Sequence, residues 1–224
     1  MTNGTLNNYV NFSKEIGGVR KAYEGHNAPW MLYGGFKFPS LDVLPTSGNV
    51  LPAFTPVKVD EAARTITPTY IFKVKAVDTD HSKVQVYKDV EGTRARVGMV
   101  LILLGANLAN AASNATTVTA IDSSHADYDE LTLANAPITS STAWWAADDY
   151  LVEGDSTSSK KIKVIPNALT PYDTCVDEHA FMLDGDAVWG ADSPILERRI
   201  VPIPDVIKAA LKNADCYFRF SNRK

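Results

Sequence analysis

Residues 48–105, GNVLPAFTPVKVDEAARTITPTYIFKVKAVDTDHSKVQVYKDVEGTRARVGMVLILLG, decide the fold class. Four runs in this stretch carry strand chemistry: Thr55–Val59, Tyr70–Val77, Lys83–Lys88 and Val97–Leu104. They are rich in β-branched and aromatic residues, and turn-forming residues separate them. Side chains alternate across a strand, so Phe72, Val74 and Ala76 share one face while Lys73 and Lys75 take the other. Lys83–Lys88 repeats the alternation. The expectation is a mainly β protein with an antiparallel sheet, small barrel or sandwich as its body. No residue in the stretch asks for chemistry.

Upstream, residues 1–47 are dense in Asn and Gly. The run PWMLYGGFKFPS places Trp30, Tyr33, Phe36 and Phe38 within nine residues, interrupted by Gly34-Gly35, which opposes a regular helix. An irregular N-terminal arm is expected. It either packs its rings on its own body or carries them into a partner, where rings supply contact area at little entropic cost.

Downstream, Ala106–Ala115 reads as a loop or one short helix. Thr116–Ile121 and Asp129–Leu133 read as two strands of a hairpin joined by a polar linker. Asp122, His125, Asp127 and Asp129 fall within eight residues, oxygen-rich enough for a hard cation. Their spacing lacks the glycine and terminal glutamate of a calcium loop, and Asp and Ser form turns without a ligand. No metal and no cofactor are expected.

In Ala143–Val152 the tryptophans are adjacent, and neighbours on a strand point to opposite faces. At least one of Trp144 and Trp145 is therefore expected outside the core, closing an oligomer interface or stacking on a sugar. Glu153–Lys161, EGDSTSSKK, reads as a flexible connector. The chain accordingly divides into an arm (1–47), a β body (48–152) and a smaller β segment ending in a helix (153–224). Phe181–Leu183 suggests a strand ending at Asp184-Gly185. Pro204-Asp205 suits a first helical turn, and Val206, Ile207, Ala210, Leu211 and Ala214 follow at helical spacing. Cys216–Phe220 reads as a closing strand or apolar tail.

Whole-chain chemistry removes several function classes. A net charge of -4 over 224 residues argues against a general nucleic-acid binder, which needs concentrated Lys and Arg. Arg94, Arg96 and Arg198-Arg199 read as solvated strand-edge residues. Cys175 and Cys216 are too few for a disulfide framework and lack metal-ligand spacing, which fits synthesis in a reducing cytosol and leaves a single bridge open. The first eighteen residues contain no apolar segment of the signal-peptide kind, and Val97–Leu104 is far too short to span a bilayer. No nucleophile elbow, P-loop, dinucleotide fingerprint or H-E-x-x-H occurs. His26, His81, His125 and His179 are scattered. Glu178-His179 would face opposite ways on a strand, and Asp78 and Asp80 sit in turn sequence. No enzymatic activity is expected.

The segment Leu51-Pro52-Ala53-Phe54-Thr55-Pro56-Val57-Lys58-Val59-Asp60 resembles the head fibre and head decoration proteins of tailed bacteriophages, which clip onto the outside of an assembled capsid. The family usually carries a glycine where this chain has Phe54. Tyr128–Leu133, Ile165–Thr170 and Pro204–Leu211 fit as well, and the matching pieces span about three quarters of the chain. The resemblance implies a non-enzymatic structural protein on the virion exterior, made in the host cytoplasm. It implies two partners, the major capsid protein and sister copies of the chain in trimers or clusters. Trp30, Tyr33, Phe36 and Phe38 would meet capsid or subunit, and Trp144 and Trp145 an oligomer contact. The alternative is a glycan-binding or host-adhesion module built on exposed tryptophans.

Overall fold

The computed structural model describes residues 30–45, 50–78, 82–88, 94–135, 138–139, 142–143, 145–176 and 184–222. In chain order the strands are β1 (Trp30–Lys37), β2 (Val50–Leu51), β3 (Pro56–Asp60), β4 (Thr65–Pro68), β5 (Ile71–Val77), β6 (Lys83–Tyr87), β7 (Val100–Leu103), β8 (Ala115–Asp122) and β9 (Tyr128–Leu133). They continue as β10 (Ile138–Thr139), β11 (Thr142–Ala143), β12 (Tyr150–Glu153), β13 (Ala168–Leu169), β14 (Thr174–Cys175), β15 (Asp184–Gly190), β16 (Ile195–Leu196) and β17 (Phe220–Ser221). Helix α1 (Asp205–Asn213) lies between β16 and β17. The protein is mainly β with one short C-terminal helix, as the sequence leads one to expect.

Two closed barrels carry the architecture. Strands β12-β5-β6-β9-β8-β7 form a six-stranded barrel in which every pair is antiparallel. Strands β1-β15-β13-β3-β4 form a five-stranded one, closed where β1 meets β4 in parallel at Lys37 and Thr65. Closure removes the open edges that would otherwise pair with other chains. The alternating sequence explains the larger barrel: in β6 Val84 and Val86 are buried while Lys83 and Gln85 are partly exposed. Phe72, Val74, Leu101, Val118, Leu131 and Leu151 join them, so side chains fill the interior as a barrel of this size requires.

The face of β5 that carries Lys73 and Lys75 is partly covered. Ile71 and Phe72, adjacent in sequence, are both buried because a second core lies against the outside of this strand. Ile71, Ile102 and Val152 meet Phe54, Val188 and the helix residues Ile207 and Leu211 there. Of the expected helical stripe, only Ile207 and Leu211 are buried.

The segments expected from composition interleave in space. Residues 30–37, placed in an irregular arm, form a barrel strand. Gly35 takes φ +59°, a conformation glycine adopts without strain. It absorbs the bulge where pairing shifts from Leu32–Ala187 to Phe36–Gly185. The five-stranded barrel then draws β1, β3, β4, β13 and β15 from all three expected segments. Glu153–Lys161, expected as a flexible connector, folds into a closed turn. Gly154 pairs with Ile162, Asp155 N–H donates to Lys161 O (2.9 Å), and Ser159 N–H donates to Ser156 Oγ (3.0 Å). Ser156 Oγ thus satisfies a backbone N–H within the turn, and Ser159 Oγ donates to Asp155 Oδ2 (3.0 Å). Residues 106–114 form a loop, and β15 begins at Asp184, where a strand end was expected. Phe181–Leu183, Trp144, Glu178-His179, Asp80, His81, His26 and residues 1–29 lie outside the described residues.

Candidate functional site

Trp30 begins β1 directly opposite Gly190 of β15. A Cβ at position 190 would stand 2.6 Å from Trp30 Cε3, so the indole rests on bare backbone and any larger residue would displace it. Trp189, the preceding residue of β15, brings its ring within 5.0 Å of Trp30. Tyr217 arrives from the chain after α1 and is locked alongside β15. Its N–H donates to Trp189 O (2.9 Å), and its carbonyl accepts from Ala191 N–H (3.0 Å). Its ring centroid lies 5.8 Å from Trp30 with the planes tilted by 56°. Trp30 and Tyr217 remain 37% and 57% exposed, far more than large rings in a core.

The rings of Trp30 and Tyr217 line a groove of about 960 Å³ on one side of α1. Phe220 and the side chains of Asp192, Lys212, Asp215 and Arg219 share the lining. Lys208 is held by Glu197 (3.0 Å) and Asp205 (3.1 Å), and Arg219 donates to Asp192 O (2.8 Å). Cys216 also lines the groove and carries a free, buried thiol that donates to Asn167 O at 2.9 Å. Burial, with Asp215 adding to it, pushes this thiol up to about 11, so it stays neutral and unreactive near pH 7.

A second groove of about 620 Å³ lies between α1 and the 106–109 loop. Leu108, Ile165, Pro166, Val206 and Ala210 line it, with asparagines as its polar members and no charged side chain among its lining residues.

The sequence-expected site residues distribute unevenly. Trp30 is exposed and belongs to the aromatic groove. Tyr33 lies in β1. Phe36 and Phe38, expected as partner contacts, are buried in the chain's own core because β1 closes the barrel over them. Trp145, expected at an interface or on a sugar, is 1% exposed and fills the core beside the larger barrel's strands. Arg94 and Arg96 are not solvated edge residues either. Arg94 is buried, and the largely buried Arg96 side chain pairs with Glu153 at 3.1 Å. Tyr217, which lines the groove, and Trp189, which packs against both rings, escaped the sequence reading. The signals for them were the lone tryptophan of DAVWG and the aromatic density of CYFRF.

Side chains of the acid-rich hairpin loop meet partners within the chain. Asp122 caps Ser124 N–H (2.9 Å), Asp127 pairs with Lys75 (2.7 Å), Asp129 faces Lys88 (3.3 Å), and His125 stacks on Tyr128. Among the described residues no group of three His, Cys, Asp or Glu side chains is placed to hold a metal. No helix among them is long and apolar enough to cross a membrane.

Neither a family model, nor a curated protein, nor a solved structure matches this chain.

Proposed function

We propose that this chain is a non-enzymatic structural protein of the outside of a tailed-phage head, bound to the major capsid protein and self-associating. The observation that carries the reading is the Leu51–Asp60 turn. Phe54 sits there at φ +61°, in the left-handed region that glycine occupies freely, at the position where the resembled family carries glycine. The turn is held as that conformation requires. Phe54 N–H donates to Thr170 O (2.8 Å), Ala53 N–H to Asp173 Oδ1 (2.6 Å), and Thr170 Oγ1 to Pro52 O (2.8 Å).

The body offers a surface suited to a protein partner. The groove between α1 and the 106–109 loop is lined without a charged side chain, and charge is depleted likewise at the buried centre of a protein interface. Twenty-nine residues precede Trp30, and such a length of chain spans at most about 100 Å, enough to reach a neighbouring subunit. Repeated sites on a shell convert modest single affinities into firm attachment.

The test is co-sedimentation of the purified chain with capsids that lack it, alongside its native mass. Wild type is expected to pellet with capsids and to run as an oligomer. Val206→Asp, which places a charge in the uncharged groove, and a chain lacking residues 1–29 are each expected to lower capture. The truncation stops short of residue 47 because β1 is part of a barrel. Wild-type protein that stays monomeric in the supernatant defeats the proposal.

A further inference from the structure

We infer that the groove beside Trp30 is a carbohydrate-binding site for a neutral oligosaccharide, with the exposed faces of Trp30 and Tyr217 as its stacking platforms. The inference is independent of capsid attachment and assigns the chain a second binding function.

The chemistry of the lining selects this ligand class. Two ring faces tilted by 56° with centroids 5.8 Å apart present two apolar, electron-rich surfaces at an angle. Consecutive pyranose rings of one oligosaccharide present such paired C–H faces, whose slightly positive hydrogens suit the negative face of an aromatic ring. A pyranose edge carries hydroxyls that both donate and accept. Beside the rings stand two acceptors, the carboxylates of Asp192 and Asp215, and two donors, the cations of Lys212 and Arg219. The side chains of Asp192, Lys212 and Asp215 make no hydrogen bond or ion pair with other described residues, so they remain available to a ligand.

Other ligand classes fit less well. The remaining cation, Lys208, is already neutralised by Glu197 and Asp205, so the groove has no surplus positive charge for phosphate or sulfate. A protein interface depletes charge at its centre, and the uncharged groove across α1 matches that description better. The aromatic platform is also fixed in advance. Gly190 leaves the space that Trp30 fills, Trp189 backs both rings, and backbone hydrogen bonds hold Tyr217 on β15. Rings that are already ordered cost little further entropy on binding.

Saturation-transfer NMR on the full chain with maltohexaose, chitotetraose and mannotetraose tests the site. At least one sugar is expected to receive saturation on its ring C–H protons. Tyr217→Ala, a change at an exposed residue, is expected to weaken that binding by about tenfold or more while leaving the circular dichroism unchanged. Gly190→Ala is expected to weaken it too, by pushing the Trp30 ring off its seat. Asp215→Asn is expected to give a smaller loss. Absence of saturation for all three sugars overturns the inference, and so does binding that survives both Tyr217→Ala and Trp30→Ala. Binding confined to a sulfated heparin hexasaccharide, run in parallel, also overturns it by showing an anion site. The experiment contains no capsids, so its failure leaves the attachment proposal standing, and the reverse holds.

Discussion

Arg96 donates from Nη2 to Glu153 Oε1 across 3.1 Å, and this contact ties the loop before β7 to the end of β12 inside the protein. The same guanidinium donates to Leu44 O (2.9 Å), and its carbon lies 5.2 Å from the centroid of the Tyr70 ring. Lys163 completes the carboxylate's partners at 2.7 Å. A buried carboxylate that loses its main cation keeps its desolvation cost without compensation. Arg96→Met is therefore expected to lower the unfolding free energy by about 3 kcal/mol. Arg96→Met combined with Glu153→Met is expected to recover much of that loss. Urea unfolding of the two variants decides it; a double variant weaker than the single one contradicts the account.

Phe54 makes an ordering prediction. Its ring is fully buried, and its φ of +61° costs an L-residue with a Cβ roughly 1 kcal/mol or more. Phe54→Ala loses the ring and keeps the strain, at about 3 to 5 kcal/mol. Phe54→Gly loses the ring and releases the strain. The glycine variant is expected to be more stable than the alanine variant by about 1 kcal/mol, the reverse of their order in a helix. Equal melting temperatures for the two would refute the strained turn.

Gly185 seals the five-stranded barrel. A Cβ there would stand 2.5 Å from Ile66 Cγ2 and 3.3 Å from Phe38 Cζ, closer than packed atoms tolerate. Gly185→Ala is expected to destabilise by about 1 to 3 kcal/mol through overpacking. Gly185→Ala with Ile66→Val, which trims one methyl from the crowded neighbour, is expected to regain part of the loss. Thermal melts of the pair report whether space at this position closes the barrel.

Alkaline pH should weaken the fold. Burial pushes the Cys216 thiol up to about 11, and burial also holds the Tyr70 hydroxyl above its ordinary value while it donates to Val43 O at 2.6 Å. Both groups are neutral when protonated. Above about pH 8.5 for the thiol and about pH 10 for the phenol, the unfolded chain sheds protons that the folded chain retains. Stability is then fully present at neutral pH and declines as pH rises toward the folded values. Urea midpoints at pH 7, 9 and 10.5 should fall in that order, and Cys216→Ala should flatten the first part of the decline. A midpoint unchanged up to pH 10.5 would exclude these groups as the cause.

Sequence alone determined where much of the chain is strand. The period-two runs around Val57, Val74, Val84 and Leu131, and the helical spacing of Ile207 and Leu211, are local patterns that follow from strand and helix geometry. Which strands lie side by side was decided only in three dimensions. Alternation tells which face of a strand is inward, and it carries no information about the neighbour across the ladder. β1 therefore read as an arm until β15 and β4 closed around it. The same reason hid the site: Trp30, Trp189 and Tyr217 are distant in the chain and meet because β15 pairs with β1 on one side and with Tyr217 on the other. Phe36, Phe38 and Trp145 carry equally aromatic side chains, yet closure of the barrels buried them, and burial of a ring is a property of the assembled core rather than of the residue.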